Sequence, residues 1–310
     1  MANHHAAAAS AQYPGAPLLL DRFGGALFAV SMRRLTESYT GPCLRAIRDY
    51  DDAEIDIPFM SNGLMDAGAL ATWAAAVPGP PSAGSRTWIV TWYDQSGNGN
   101  DLVAPSPKGG PSLSYTTGDF TIMGGDSGLP AVYGAFEGTQ QLTLAGSGLT
   151  YTNSGAWSAT VVMDYRNYRN RDHHIFNLAN SSGNLMDFKI SSAGSTVTDF
   201  TVYNTGGSAQ AIQGSIVYDA SYPWNVYNYF LNRDSDGDFK IYKDNTLEVS
   251  GTQANPATTS PDFQLYARDS GGANNDSGLE GAIGEVIWWP QSRSADDIDL
   301  INQNISNYWG

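Results

Sequence analysis

The chain has 310 residues, of which 41% are hydrophobic and only 15% are charged, with a net charge of −15. No basic patch is available to displace counterions from phosphate or to dock on anionic lipid, which excludes nucleic-acid binding and electrostatic membrane attachment. Cys43 is the single cysteine, so no intramolecular disulfide forms.

Residues 1 to 20 are small, polar and interrupted by proline, and read as an N-terminal arm that either anchors to a neighbouring subunit or packs on its own domain. A jelly-roll domain is expected over 21 to 310. Its first strands are predicted at Gly25 to Arg33 and Gly41 to Tyr50, with Thr40-Gly41-Pro42 as the turn between them. Leu64 to Val77 is a predicted helix, with Asp66 near its start and prolines at its end. Trp88 to Tyr93 is rich in β-branched and aromatic residues and predicts a buried strand that runs into the tight loop Asp94 to Asn100. Further strands are predicted at Ala156 to Tyr165, His174 to Leu178, Leu185 to Ile190, Phe200 to Tyr203 and Trp224 to Asn232. Phe239 to Tyr242 and Leu247 to Ser250 form a predicted hairpin turning at Asp244-Asn245. Strands at Phe263 to Ala267 and Ala282 to Trp289 follow, and a closing helix over Ser294 to Tyr308 is capped by Ser294. Many short strands punctuated by turns predict an all-β sandwich with a few short helices.

The charged share is below the usual share of about 25%, so Ser, Thr, Asn, Gln and Gly must supply the polar surface. Such a surface fits an extracellular β protein. Met1 to Ser10 lacks the basic segment and apolar core of a signal peptide. A virion protein, made in the host cytoplasm and acting outside after release, reconciles the two.

The run Trp92-Tyr93-Asp94-Gln95-Ser96-Gly97-Asn98-Gly99-Asn100, followed by Ala104-Pro105 and Gly109-Gly110-Pro111, resembles the α-L-arabinofuranosidase B catalytic domain. The upstream Phe28 to Leu35, Tyr39 to Pro42 and Asp56-Ile57 resemble a variant found in bacteriophage virion proteins. Leu279 to Ile287 and Ser294 to Ile298 are similar to the closing strand and helix of laminin-G-like domains. The resemblance implies a concanavalin A-like jelly roll. It also implies two carboxylates: a nucleophile in a Gly-x-Met-Glu context and a general acid in a Gly-Gly-Asp-Asn-Ser context. The matching positions here are Asn184-Leu185-Met186-Asp187 and Ala267-Arg268-Asp269-Ser270, with Asp276 a second candidate for the acid. Asp187 is one methylene shorter than Glu, and the family's cysteines near the nucleophile are absent. The expected function is therefore a virion structural protein (capsid decoration, head fibre or tail fibre) that is oligomeric and binds cell-surface polysaccharide. The alternative is a glycoside hydrolase of the α-L-arabinofuranosidase type.

Several polar groups have two readings. Asp94 either holds its loop through backbone N–H groups or binds sugar hydroxyls with Asn98 and Asn100. Tyr165 and Tyr168 lie in a polar aromatic stretch that suits sugar stacking or a subunit interface. Asp234, Asp236 and Asp238 resemble half of a calcium loop but lack its closing Glu, and read equally as a β-turn. His173 and His174 are adjacent on a strand, point to opposite faces, and do not share a metal.

Overall fold

The computed structural model describes residues 17–76, 86–108, 110–116, 119–120, 122–123, 129–134, 141–144, 155–165, 173–180, 183–191, 197–203, 209–213, 226–252, 262–266, 279 and 281–309. The arm of residues 1–16 lies outside them. Two antiparallel sheets dominate. The first runs, in spatial order, Phe28–Ser31, Gly281–Trp289, Trp157–Tyr165, Val226–Arg233, Asp238–Lys243 and Thr246–Thr252, with Val132–Gly134 also paired to Gly281–Trp289. The second runs Ala209–Gln213, Val197–Tyr203, Gly183–Ser191, His173–Asn180, Asp262–Leu265, Leu142–Leu144, Leu102–Val103, Arg86–Trp92, Leu44–Arg48 and Glu54–Ile57.

The sheets meet through aromatic side chains, whose large apolar faces contribute most to the burial that drives sandwich formation. Trp288 of the first sheet stacks on its neighbour Trp157 at 4.6 Å and meets Phe176 and Phe263 of the second edge-on. Phe28 and Tyr229 cross the same gap to Phe263 and Phe188. The first sheet is covered on its other face too. The closing helix, Ala295–Trp309, lays Trp309 over Gly284, where an added Cβ would come within 2.4 Å of the indole. Gly284 sits at a β-bulge, unpaired between partners of Val162 and Met163, a place where glycine permits close approach. The strand Gly281–Trp289 is buried at all of its positions, and both Trp288 and Trp289 lie in the core.

Beneath that helix, Glu285 is fully buried and receives a bidentate bond from Arg33 (2.7 and 3.1 Å) and another from Ser31 Oγ. Arg33 also donates to Asn304 and stacks on Tyr308.

The expected helix over 64–77 is shorter, Ala67–Ala75, because Asp66 caps it by accepting from Ala69 N at 2.8 Å. Ser294 caps the closing helix through Asp297 N. The predicted hairpin turns at Asp244 and Asn245, whose φ angles of 46° and 66° match the two-residue turn that follows strand twist. One expectation is corrected: Leu19 and Leu20, placed in the arm, form a short helical turn buried in the core.

Candidate functional site

Register alone places a polar row across the second sheet. Asp56 pairs with Arg45, Arg45 with Thr91, Thr91 with Val103, Val103 with Thr143, Thr143 with Gln264, Gln264 with Asn177, and Asn177 with Asp187. Their chain neighbours Leu44, Ala46, Trp92, Leu102, Leu142, Phe263, Phe176, Met186 and Phe188 are buried apolar residues. Strand side chains alternate between faces, so the row lies on the outer face, away from the first sheet. Eight strands at about 4.8 Å spacing make it about 34 Å long. Only Val103 in it is apolar.

The row is exposed at its Asp56 end and buried at its Asp187 end. Asp187 has no exposed surface, and its Oδ1 lies 2.6 Å from His174 Nδ1, itself buried. The two strands slip register at Ile175, between His174 and Phe176. That bulge turns His174 to the same face as Asp187, whereas His173 pairs with Ile190 on the core side. Asp187 Oδ2, His174 Nε2 and Thr143 Oγ1 are buried polar atoms with no protein partner. Asp187 is thus internal to the sheet and paired. Asp269, the other catalytic candidate, and Asp276 lie outside the described residues.

At the exposed end, Arg45 grips Asp56 with two bonds of 2.8 Å and Tyr93 donates to the same carboxylate at 2.8 Å. The Arg45 bond holds the Asp56 pKa below its ordinary value, while burial and that donation push Tyr93 up to about 12.

The Asp94 to Asn100 loop does a different job. Asp94 accepts from Ala29 N (2.8 Å), Ser96 N (2.8 Å), Ser96 Oγ (2.7 Å) and Asn100 N (3.0 Å). Gln95 donates its amide to Ser31 O and Arg33 O, accepts from Leu35 N, and gives its backbone N–H to Ala29 O. Asn98 and Asn100 donate to Ala26 O and Leu27 O. Phe28–Ser31 is the edge of the first sheet, and unpaired edge groups invite association with other chains. The loop takes the place of a further strand there and rivets one sheet to the other. These side chains thus spend their hydrogen bonds on the protein's own backbone and on one another.

Tyr165 ends its strand opposite Gly281, and Tyr168 lies outside the described residues. Asp234 Oδ1 accepts from Asp236 N and Asp238 N, which closes a tight turn around Gly237. The three aspartates do not converge, and among the described residues no three His, Cys, Asp or Glu side chains form a group able to hold a metal ion.

No protein-family model matches the chain, and no curated protein matches it. Solved structures do. An arabinofuranosidase complexed with arabinofuranosyl-α-1,2-xylobiose superposes with a TM-score of 0.62 at 19% identity. A mutant GH54 α-L-arabinofuranosidase soaked with 4-nitrophenyl α-L-arabinofuranoside superposes at 0.59 and 20%. Each match covers 92% of this chain and 63% of the other, so the chain spans less than two thirds of the enzymes it resembles. At that identity the likeness establishes the fold: an arabinofuranosidase-like β-sandwich of the jelly-roll kind.

Proposed function

We propose that the chain is a non-hydrolytic glycan-binding sandwich borne on a virion surface, as a capsid decoration, head-fibre or tail-fibre component. The observation that carries the glycan half is the polar row on the outer sheet face, which is accessible from Asp56 and Arg45 to Thr143 and closed over at Gln264, Asn177 and Asp187. Hydroxyl, amide and carboxylate groups in a line suit a hydroxyl-rich ligand, and the enzymes that share the fold hold arabinofuranosides. Retaining hydrolysis requires a nucleophile that reaches the sugar, with a second carboxyl group about 5–5.5 Å away. Asp187 is short, enclosed and already engaged, which counts against cleavage at this position. The virion half is supported by the phage-type variant of the motif and by a single, buried Cys43 that demands no oxidising step.

The test is calorimetric titration with arabinan and arabinoxylan, beside assays for pentose and 4-nitrophenolate release. Binding without release is expected. Release that disappears in Asp187→Asn refutes the reading in favour of the hydrolase, for which the unpartnered Asp187 Oδ2 and His174 Nε2 are the supporting atoms. For location, the chain should sediment with purified particles and lose that association when residues 1–16 are removed.

A further inference from the structure

We infer that the outer face carries a second sugar subsite at its Glu54 edge, so that the ligand is an extended, neutral polysaccharide chain. A groove of about 520 Å³ opens there, lined by Ile47, Asp52, Glu54, Ser106, Pro107 and Lys108, a size usual for small-ligand sites. Ile47, 3% exposed, supplies an apolar floor. Its cross-strand partners on the same face are Glu54 on one side and Trp88 on the other. An apolar floor rimmed by polar groups matches a sugar ring, which has a C–H face and a hydroxyl edge.

Ion pairs link the rim. Lys108 Nζ sits 3.0 Å from Asp49 and 2.9 Å from Asp52, and Asp52 is kept in the left-handed region at φ 56°. The neighbouring row adds the Arg45–Asp56–Tyr93 cluster. Charge decides the ligand class. Lys108 and Arg45 are both neutralised by carboxylates, and Glu54 adds a further negative charge. A uronate or sulfated polymer is repelled, whereas neutral hydroxyls find both acceptors and donors.

The inference rests on the glycan reading for the accessible centre of the face near Thr143. Four strand steps separate the Glu54–Ile57 strand from the Leu142–Leu144 strand, about 19 Å at about 4.8 Å per step. A trisaccharide cannot bridge that distance, but a polymer can. It then gains from the high effective concentration of its second contact.

The experiment titrates arabinan, arabinoxylan, polygalacturonate and an arabinose trisaccharide into the full chain and into Ser106→Trp and Glu54→Ala. Both positions are exposed, and thermal melts check that the variants fold. The wild type should bind two trisaccharides and Ser106→Trp one. Polymer affinity should fall about tenfold or more in Ser106→Trp, and less in Glu54→Ala. Unchanged polymer affinity with one trisaccharide bound in both proteins overturns the edge subsite and leaves the central reading standing. Stronger binding of polygalacturonate than of arabinan overturns the neutral class. No binding of either neutral polymer by the wild type overturns both readings.

Discussion

Replacing Asp94 by alanine tests whether the Asp94 to Asn100 loop is a structural rivet. The substitution removes four accepted hydrogen bonds at once. Ala29 N–H is buried at the sheet edge, and a buried donor left without a partner costs about 1–3 kcal/mol. The N–H groups of Ser96 and Asn100 and the Ser96 hydroxyl are half-buried, so water recovers part of each bond. Their loss adds about 0.5–1 kcal/mol apiece. The expected destabilisation is about 3–5 kcal/mol, a large share of the roughly 5–15 kcal/mol that holds an ordinary domain together. Asp94→Asn keeps one acceptor oxygen but turns an amide N–H toward other donors, and should fall between. Urea unfolding followed by fluorescence of the 8 tryptophans reads this as a lower midpoint with an unchanged slope. A loss below about 1 kcal/mol for Asp94→Ala would refute the reasoning. So would an equal loss for Asn98→Ala, whose side chain is exposed and bonds only to carbonyls and Ser96.

Three further outcomes follow from packing and burial. Arg33→Met leaves Glu285 charged and enclosed, and should cost about 3–5 kcal/mol. The double change Arg33→Met with Glu285→Leu should cost less than Arg33→Met alone, measured by the same urea assay; a larger loss would show that the pair contributes net stability. Gly284→Ala drives a methyl into the Trp309 ring, 2.4 Å from its nearest carbon, and should cost about 1–3 kcal/mol. Trp309→Leu in the same chain should relieve part of that cost, and strict additivity would show that the ring is not the obstacle. Cys43 is fully buried and burial pushes its thiol pKa well above the ordinary value. A thiol reagent at neutral pH should therefore label it only as the chain unfolds, and rapid labelling of the native protein would contradict the structure.

The long strands were legible because each carries its own signal. Trp88 to Tyr93 and Ala282 to Trp289 are dense in β-branched and aromatic residues, and the structure has strands at Arg86–Trp92 and Gly281–Trp289. Leu102–Val103, Leu142–Leu144 and Glu54–Ile57 were not legible. They are two to four residues long and exist because their neighbours offer a ladder, so strand propensity says little about them. The site shows the same division. Asp187 could be singled out by its residue type and context. Its partner could not, since His174 reaches it only through a bulge at Ile175 that no period in the sequence marks. The polar row belongs to register, which a list of residues does not contain. Isolated Thr91, Thr143 and Gln264 carry no signal until pairing aligns them.

The loop that most resembles a known enzyme is therefore the part least concerned with chemistry. Asp94, Gln95, Asn98 and Asn100 use their polar atoms on the backbone of Leu27 to Leu35 and on one another. A sequence constrained by that many internal bonds tolerates little change, whatever ligand the sandwich handles. Its resemblance predicts the fold and is silent on activity. The position that resembles the enzymes' nucleophile lies five strand steps from the strand that feeds this loop. There the chain places the shorter Asp187, closed off and held by a histidine. Restoring the longer carboxylate alone, as Asp187→Glu, pushes an extra methylene into a filled, buried position and should destabilise the sheet by about 1–3 kcal/mol without releasing pentose from arabinan. Pentose release by that single variant would mean that the enclosure is no barrier, and that the second carboxyl group is already in place.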